Sequence, residues 1–343
     1  MEMMSRQNSL VAPTTLLPVP DASAVGDVRR FAQDAAAQLG FDGGRQGKVG
    51  IVATELATNI ARHAQSGCVL ARVSQYEHGG VLDLLALDRG PGMQDVNRCL
   101  EDGYSTKAGG TGTGLGAIRR LADVFDIFSL PDQGTAVLGR FRTGPREATP
   151  MEVGALSLPY PGEVACGDAW EIELNLESCS FSVIDGLGHG VDAATAAAAA
   201  VRTLADPRQR TVEELLALAH AALRPTRGAA VAIAEVRPSS RTIRYGGVGN
   251  IVGAVATSAE LKRMVSLDGT IGHETANIRA FDYALPPGHL LVMHSDGMRS
   301  QWNLDRYPGL PLRDPFLIAG ILYRDYSKGT DDVTVVVARA VEP

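Results

Sequence analysis

The sequence has little of what would place the protein in a membrane, outside the cell or on nucleic acid. No apolar run approaches the roughly 20 residues of a membrane-spanning helix, and residues 1–15 lack the apolar core of a signal peptide. The four cysteines form no CxxC pair and the seven histidines have no metal-ligand spacing, which argues against disulfides and zinc sites. A formal net charge of −7 argues against nucleic acid or an anionic membrane surface as a partner. We therefore expect a cytoplasmic protein with reduced thiols.

The chain is long enough for two domains. It has 343 residues, of which 45% are hydrophobic and 21% are charged, as is typical of globular proteins. Residues 143–160 are rich in proline and glycine and have no sustained period, which predicts a linker. We therefore predict a flexible tail over 1–19, one domain over 20–142 and a second over 161–343.

The two halves have different hydrophobic patterns. Before the linker, two stretches with helical spacing precede strand-like runs that are joined by the turn signals "EHGG" and "PDQG". This order predicts an α+β domain with helices on one face of a mainly antiparallel sheet. After the linker, many short strand-like runs and two helical stretches predict a β-sandwich flanked by helices.

Three features of the first half indicate a nucleotide site. Glu55 and Asn59 are four residues apart on one predicted helix, so their side chains leave the same face. Asp88 ends an apolar strand and leads into a turn, and a glycine-rich loop then precedes a helix, where backbone N–H groups favour phosphate. The glycines of these two segments are Gly90, Gly92, Gly112, Gly114 and Gly116. Each feature alone also fits a solvated helix face or an ordinary loop, whereas their order together favours nucleotide binding.

A family resemblance follows from the motifs "ELATNIARHA", "DRGPGM" and "GTGTGLG" and the pair Gly134-Thr135. Over residues 20–142 the chain resembles the GHKL (HATPase_c) ATP-binding fold of histidine kinases, gyrase, Hsp-type chaperones and MutL. Within that fold it is most similar to the RsbT-like anti-sigma and switch serine kinases. The resemblance implies that ATP with Mg²⁺ is the cofactor.

The resemblance also implies roles for individual residues of this half. Asn59 would hold Mg²⁺ between the phosphates, and Glu55 would be the general base that takes the proton from an acceptor serine. Asp88 would accept a hydrogen bond from the adenine amino group, with support from Thr135. Gly90 and Gly92 would shape the pocket wall. The glycines of the second loop would cover the phosphates, namely Gly112, Gly114 and Gly116.

The second half places carboxylates at the ends of apolar runs, where burying a charge is costly. Asp185 ends the run in "FSVIDGLGHG", Asp296 ends the run in "LLVMHSDG", and Asp331 opens "VTVVVARA". Asp168 lies in "CGDAW". Each acid alone also fits a helix cap or a turn. Carboxylates that converge from distant parts of a chain are tolerated if cations neutralise them, and oxygen ligands favour Mg²⁺ or Mn²⁺. Two such ions can activate water for attack on a phosphate ester.

Over about residues 150–343 the motifs "GD" at 167–168, "DGLGHG" at 185–190, "SDG" at 295–297 and "DDVTVVV" at 331–337 resemble a phosphatase family. This is the SpoIIE/RsbX-like branch of the metal-dependent serine/threonine phosphatases of the protein phosphatase 2C (PPM) type. The resemblance implies that Asp185 bridges two metal ions, with Gly186 ligating one through its carbonyl. Asp168 would act weakly or through water, and Asp296 and Asp331 would hold the second ion.

Three further expectations concern residues around this site. The role of His189 stays open between contact with the substrate phosphate or water and a purely structural one. Asp332 is expected to be a turn or supporting residue rather than a ligand. No arginine can be matched to the phosphate-binding arginine of the larger relatives.

The two resemblances together predict a partner-switching regulator of bacterial sigma-factor or stress signalling. Its C-terminal domain would dephosphorylate phosphoserine or phosphothreonine on a STAS-type antagonist, an anti-anti-sigma or RsbS/RsbR-like protein. Its N-terminal domain would phosphorylate the same class of partner. One alternative is an ATP domain that only senses nucleotide, or binds a sigma factor or other partner, and gates the phosphatase. Another is a non-enzymatic module that sequesters a sigma factor. Whether the protein forms a homodimer stays open.

Overall fold

The structure is a computed structural model that describes residues 9–10, 14–64, 66–76, 79–101, 103, 114–145, 148–205, 210–273 and 277–341. The chain forms two compact units, one of residues 12–147 and the other of residues 1–11 and 148–343. The two-residue strand β1 (Ser9–Leu10) pairs antiparallel with Ile172 and Glu173 of the second unit. Within the described ranges, no helix combines the length and apolar character needed to cross a bilayer.

The first unit packs two long helices on one face of a five-stranded antiparallel sheet, as the sequence pattern predicts. The strands follow the order β2-β3-β4-β6-β5. The elements are β2 (Thr14–Pro18), α1 (Val25–Gln38), α2 (Gly43–His63), β3 (Gly67–Tyr76), β4 (Gly79–Asp88), α3 (Val96–Cys99), α4 (Gly114–Leu121), β5 (Val124–Ser129) and β6 (Thr135–Arg142).

Helix α2 carries two of the predicted site residues and is fixed by a cap and an apolar face. Asp42 accepts a hydrogen bond from Arg45 N at 2.8 Å and starts the helix. Its apolar face is fully buried in the core of this unit, through Val49, Val52, Leu56 and Ile60. This burial leaves Glu55 and Asn59 half-buried along a neighbouring face.

A buried ion cluster crosses three strands of this sheet. Asp83 of β4 lies directly opposite Arg72 of β3 and Arg140 of β6. Arg72 Nη2 donates to Asp83 Oδ2 at 2.6 Å, and Arg140 Nε donates to Asp83 Oδ1. Burial alone would raise the pKa of Asp83, but the charges of the two guanidinium groups outweigh it and lower that pKa. The carboxylate is fully buried, so its two partners are what make its charge tolerable.

Replacing Asp83 with alanine is expected to destabilise the first unit by about 3–5 kcal/mol, because it removes the negative charge between two buried guanidinium groups. Urea unfolding of the full chain, followed by a probe of the N-terminal unit, measures this change. Since the folded-state pKa is below the unfolded value near 3.9, the stabilisation by Asp83 is present above about pH 4 and lost as the pH falls further. An alanine variant as stable as wild type would contradict the role of the cluster.

The second unit begins inside the segment predicted as the linker. Met151–Leu158 forms the strand β7 and pairs along its whole length with the strand at Val333–Ala340. The linker predicted over 143–160 is therefore too long, because backbone pairing with a distant strand outweighs the local proline and glycine content. The tail predicted over 1–19 differs in the same way, since Ser9–Leu10 and Thr14–Pro18 are strands.

The described residues of this unit form two sheets and three α-helices, which confirms the predicted β-sandwich with flanking helices. One sheet has the order β1-β8-β9-β10-β11-β14 with β15 paired to β11, and the other has the order β13-β12-β16-β17-β7. The remaining elements are β8 (Asp168–Leu174), β9 (Cys179–Gly186), α5 (Val191–Leu204), α6 (Val212–Leu223), β10 (Ala229–Arg237), β11 (Thr242–Val248), β12 (Val252–Ala256), β13 (Leu261–Arg263), β14 (Ser266–Leu267), β15 (Phe281–Ala284), β16 (Leu290–His294), α7 (Pro315–Tyr326) and β17 (Val333–Ala340).

The helices of this unit pack closely on the sheets. The alanine run gives α5 a small, buried face through Ala193, Ala196, Ala197 and Ala200, so the helix approaches β8 and β9 closely. Helix α6 starts at a capping box, in which Thr211 and Glu214 exchange side chain–backbone hydrogen bonds. Several apolar strands of the two sheets end at the same edge of the unit, and polar residues next to these strand ends form the site described below.

Candidate functional sites

In the first unit, the end of β4 and the start of β6 meet at Asp88. Asp88 Oδ1 accepts hydrogen bonds from Gly90 N at 2.7 Å and from Thr135 N at 3.2 Å. The predicted support from Thr135 thus comes from its backbone N–H, because its hydroxyl contacts Ser129 Oγ at 2.9 Å. Sequence reasoning missed Ser129, which also accepts a hydrogen bond from Met93 N at 2.9 Å and ties the turn after Asp88 to β5.

Two turns around Asp88 require glycine. A methyl group placed on Gly92 would lie 1.9 Å from Leu130 O, and Gly92 has a φ of 68°. A methyl group on Gly134, whose φ is 77°, would lie 2.1 Å from Asp88 O. These close backbone contacts fix the turns beside the Asp88 carboxylate, and the pocket-wall role of Gly90 and Gly92 stays a prediction.

The other predicted residues of this unit meet at the start of α4. A methyl group placed on Gly114 would lie 2.6 Å from Glu55 Oε2 and 3.6 Å from Asn59 Oδ1. The first residue of α4 therefore lies against the polar face of α2, and Gly116, two residues later, is buried. Gly112 and most of the glycine-rich loop lie outside the described residues. The structure thus brings Glu55, Asn59 and Gly114 together, and their roles toward ATP stay predictions.

In the second unit, the predicted acids converge at one edge of the two sheets. Asp168 and Asp185 are directly opposite each other on β8 and β9. The start of β17 is joined to the end of β16 through Ser295, whose N donates to Thr334 O at 3.1 Å and whose Oγ accepts from Thr334 N at 2.9 Å. This pairing carries Asp296 and Asp331 to the same edge.

The electrostatics of Asp185 show that the carboxylates are close. Burial raises the pKa of Asp185 to about 7, and the charges of three neighbouring carboxylates add to that shift, those of Asp296, Asp331 and Asp332. A hydrogen bond from Asn250 opposes it. Burial likewise raises the pKa of Asp168 well above its ordinary value, with the charge of Asp185 as the next cause. Five carboxyl groups therefore share one edge.

Two buried carboxylate oxygens in this cluster have no hydrogen-bond donor among the described residues, namely Asp168 Oδ2 and Asp332 Oδ2. Asp332 is 3% exposed, and its other oxygen accepts from Tyr160 N at 2.7 Å. Asp332, expected from sequence to be a turn or supporting residue, is therefore a buried member of the cluster. A buried carboxylate oxygen without a donor is costly, and a cation is the partner that would offset that cost.

Three neighbours that the sequence reading missed hold the Asp296 turn. Asn250 Nδ2 donates to Asp296 Oδ2 at 2.9 Å. His294 Nδ1 contacts Ser295 O at 2.7 Å, and Trp302 Nε1 donates to His294 Nε2 at 2.9 Å. Burial lowers the pKa of His294 to about 4, so the ring is neutral at pH 7. A methyl group on Gly297 would lie 1.9 Å from Asp332 O, which explains the glycine of "SDG".

The remaining predicted positions lie in the loop between β9 and α5. Gly186 N donates to Gly167 O at 3.0 Å, which holds the end of β9 beside Asp168. His189 Nδ1 contacts Glu163 Oε1 at 2.9 Å, and its ring stacks on Tyr160 with centroids 4.9 Å apart. His189 therefore braces the loop against the segment that precedes β8.

The cluster fits divalent cations by its chemistry. Among the described residues, no three Asp, Glu, His or Cys side chains already stand in a metal-holding arrangement. Mg²⁺ commonly keeps several waters and takes only one or two carboxylates from the protein. Asp296 and Asp331 contact each other, and that contact raises the pKa of Asp296 along with burial, the largest cause. The oxygen-only donors and the buried oxygens of Asp168 and Asp332 fit such partly hydrated ions.

Comparisons with known proteins agree with both units. Residues 19–140 match the family described as the histidine kinase-like ATPase domain, and residues 177–308 match stage II sporulation protein E (SpoIIE). Serine/threonine-protein kinase RsbT of Bacillus subtilis (strain 168) is 36% identical to this chain over 110 residues, which are 32% of this chain and 81% of RsbT. The chain belongs to the RsbT family through an ATPase domain that is fused to a SpoIIE domain.

Two solved structures are similar to more than half of the chain. A chain from a structure of the bacterial stressosome, described as a modular system adapted to control secondary messenger signaling, is 28% identical. It superimposes with a TM-score of 0.51 over 55% of this chain and 99% of its own length. RsbX in complex with magnesium is 19% identical, with a TM-score of 0.50, and covers 57% of this chain and 98% of its own, a likeness of fold.

Asn250 offers a direct test of the geometry in the SpoIIE domain. Asn250→Ala is expected to weaken Mn²⁺ binding by roughly 10–100-fold, because partners that orient metal-binding carboxylates have effects of that size. Isothermal titration calorimetry with MnCl₂ measures this change. The matched control is Asn303→Ala, at a half-buried asparagine that lies outside the carboxylate cluster. Equal Mn²⁺ affinity in wild type and Asn250→Ala would contradict the orienting role.

Proposed function

We propose that the SpoIIE domain is a Mn²⁺- or Mg²⁺-dependent protein phosphatase that acts on phosphoserine or phosphothreonine of a STAS-type antagonist protein. The observation that carries the proposal is the convergence of Asp168, Asp185, Asp296 and Asp331 at one sheet edge, with buried oxygens that lack a donor among the described residues. Such a carboxylate cluster supports metal-assisted hydrolysis better than any other reaction class.

Specific residues would hold the two ions. Asp185 and the Gly186 carbonyl would hold one ion, and Asp185 would share the second with Asp296 and Asp331. Asp168 and Asp332 would contact the ions directly or through water. When bound, the ions supply a nucleophilic water at neutral pH and offset the negative charge of the phosphate ester.

The chain's own residues supply fixed positions for this chemistry. The Asn250 amide orients the Asp296 carboxylate, and the Tyr160 N–H orients the Asp332 carboxylate. The neutral His294 and Trp302 hold the Ser295 carbonyl, and thus the turn that presents Asp296. Preorganised ligands of this kind avoid a reorganisation cost during the reaction.

We further propose that the ATPase domain binds ATP with Mg²⁺ and phosphorylates the same class of partner. The proximity of Glu55 Oε2 and Asn59 Oδ1 to the first residue of α4 supports this proposal. A helix N-terminus favours phosphate, Asn59 supplies an oxygen for Mg²⁺, and Glu55 can accept the proton of a serine hydroxyl. The relative RsbT is named as a serine/threonine-protein kinase.

A kinase and a phosphatase on one chain fit a partner-switching regulator. Both activities would act on one antagonist protein, whose phosphorylation state decides which partner it holds. Joining them on one chain raises the effective concentration of each domain near a docked substrate. The direction of the response then depends on which activity prevails.

One experiment with the full chain tests both activities. The purified protein is incubated with a phosphorylated STAS-domain protein, with and without Mn²⁺, and with the unphosphorylated form and ATP–Mg²⁺. We expect loss of phosphate only with Mn²⁺, and gain of phosphate only with ATP. Phosphate loss without divalent cations would overturn the phosphatase proposal, and no transfer from ATP would leave the domain a nucleotide sensor.

A further inference from the structure

Arg227 is a cation beside the "DGLGHG" loop that the mechanism above does not use. It precedes β10 by two residues, and Ala229 at the start of β10 pairs with Gly186 at the end of β9. Leu187 N also donates to Gly228 O at 3.1 Å, which continues this pairing beyond the strands. The backbone register therefore places Arg227 opposite Gly188 in the "DGLGHG" loop.

The side chain of Arg227 lies against that loop. A methyl group placed on Gly188 would lie 3.3 Å from Arg227 Nη1. On the other side of the loop, a methyl group placed on Gly167 would lie 3.4 Å from Gly188 O and 2.6 Å from Asp332 Oδ2. One loop residue, Gly188, thus lies between the guanidinium group and the edge of the carboxylate cluster.

The guanidinium group of Arg227 pairs with a carboxylate that another anion could replace. Arg227 Nη2 contacts Asp192 Oδ2 at 2.5 Å, in the first turn of α5. The two side chains are 53% and 65% exposed, and an ion pair this exposed contributes little to stability. A phosphate dianion carries more charge than a carboxylate and offers several oxygens to the same planar group of donors.

We propose that Arg227 binds the phosphoryl group of the substrate and that Asp192 is its resting partner, displaced by phosphate. This inference rests on the proposed phosphatase function, because it assigns the group that receives the phosphoester. A guanidinium group offers a planar pair of donors to phosphate oxygens, and this one lies beside the loop that continues from Asp185. Because the exposed ion pair with Asp192 contributes little to stability, a phosphate dianion can displace that carboxylate at low cost.

The test measures binding of inorganic phosphate in the presence of Mn²⁺, by calorimetry and by product inhibition. Arg227→Ala is expected to weaken phosphate binding by roughly 10–100-fold, the size expected for loss of hydrogen bonds to a charged group. Arg227→Lys should retain part of the affinity, because the charge remains without the paired donors. Arg224→Ala, at an exposed arginine three residues earlier, is the matched control and should leave phosphate binding unchanged.

Asp192→Asn separates phosphate binding from a structural ion pair. If Arg227 binds phosphate, this variant strengthens phosphate binding, because the competing carboxylate is gone. If the pair only ties α5 to the loop before β10, Arg227→Ala and Asp192→Asn both weaken binding and lower the melting temperature equally. Opposite shifts support the proposal, whereas shifts in the same direction, or none, overturn it. A loss confined to Lys328→Ala, whose cation lowers the pKa of Asp296, also overturns it.

The two proposals fail in distinguishable ways. A wild-type chain that binds phosphate through Arg227 but hydrolyses no phosphoprotein would refute the phosphatase function and leave the binding site standing. A chain that hydrolyses phosphoserine with equal KM in wild type and Arg227→Ala would refute the role of Arg227 alone. With a phosphorylated partner, the expected signature of Arg227→Ala is a higher KM.

Discussion

Replacing Asp185 with asparagine is expected to lower Mn²⁺-dependent phosphatase activity by more than the roughly 100-fold that loss of a supporting partner costs. Asp185 is the residue whose charge interacts with those of Asp296, Asp331 and Asp332, and it faces Asp168 across β8 and β9. Removing its charge deprives both proposed ions of a shared ligand. Phosphate release from a phosphorylated STAS-domain protein measures the effect.

The stability of the same variant provides a second readout. Without metal, Asp185→Asn should be as stable as wild type or more stable, because the substitution relieves repulsion within a buried cluster of like charges. The control is Asp305→Asn, at an exposed aspartate outside the cluster, which should keep full activity. An Asp185→Asn variant that is inactive and also unfolded without metal would indicate a structural role for the carboxylate. One that retains Mn²⁺-dependent activity would refute the proposed site.

Replacing Glu55 with glutamine is expected to lower phosphate transfer from ATP to the partner by roughly 10²–10⁴-fold, the range for loss of a general base. The amide keeps the shape of the side chain beside Gly114 but cannot accept the serine proton. ATP affinity should stay close to that of wild type, because Glu55 is not assigned to the nucleotide. Radiolabel transfer from ATP and a fluorescent ATP analogue measure the two quantities.

Two further variants make the test of Glu55 specific. Asn59→Ala should lose affinity for Mg²⁺–ATP itself, since Asn59 Oδ1 is the proposed metal ligand. Asp34→Asn, at an exposed carboxylate on α1, should change neither transfer nor affinity. If wild type transfers no phosphate while Asn59→Ala still abolishes ATP binding, the domain is a nucleotide sensor and the kinase proposal is wrong.

Several parts of the fold were predictable because they follow from local pattern. The apolar face of α2, with Val49, Val52, Leu56 and Ile60, is buried as its spacing predicts. Thr211 and Glu214 have the spacing of a capping box and form one. The β3–β4 hairpin follows from two strand-like runs around a turn signal. In each case the residues that decide the structure lie within a few positions of one another in the chain.

Other parts could not be predicted because long-range pairing decides them. Residues 151–158 look like a linker locally and become a strand through pairing with β17, whose residues lie nearly 200 positions later in the chain. Asn250 follows Gly249 in what looks like a structural turn between strands, and its amide reaches Asp296 only in the folded chain. Arg227 lies in none of the sequence motifs, and it reaches the "DGLGHG" loop only through the register of β9 and β10.

By itself, the sequence determined the fold class and the residue types of both sites: carboxylates that end apolar strands, and an asparagine and a glutamate one helical turn apart. Spacing along a strand or helix fixes which face a side chain takes, so these features depend only on residues close together in the chain. Only the tertiary structure decided which of those side chains share an environment. It made Asp332 a buried member of the cluster and showed that the backbone N–H of Thr135 donates to Asp88. The burial of these carboxyl groups and the charges around them arise only on folding, because β8, β9, β16 and β17 bring residues together from distant parts of the chain.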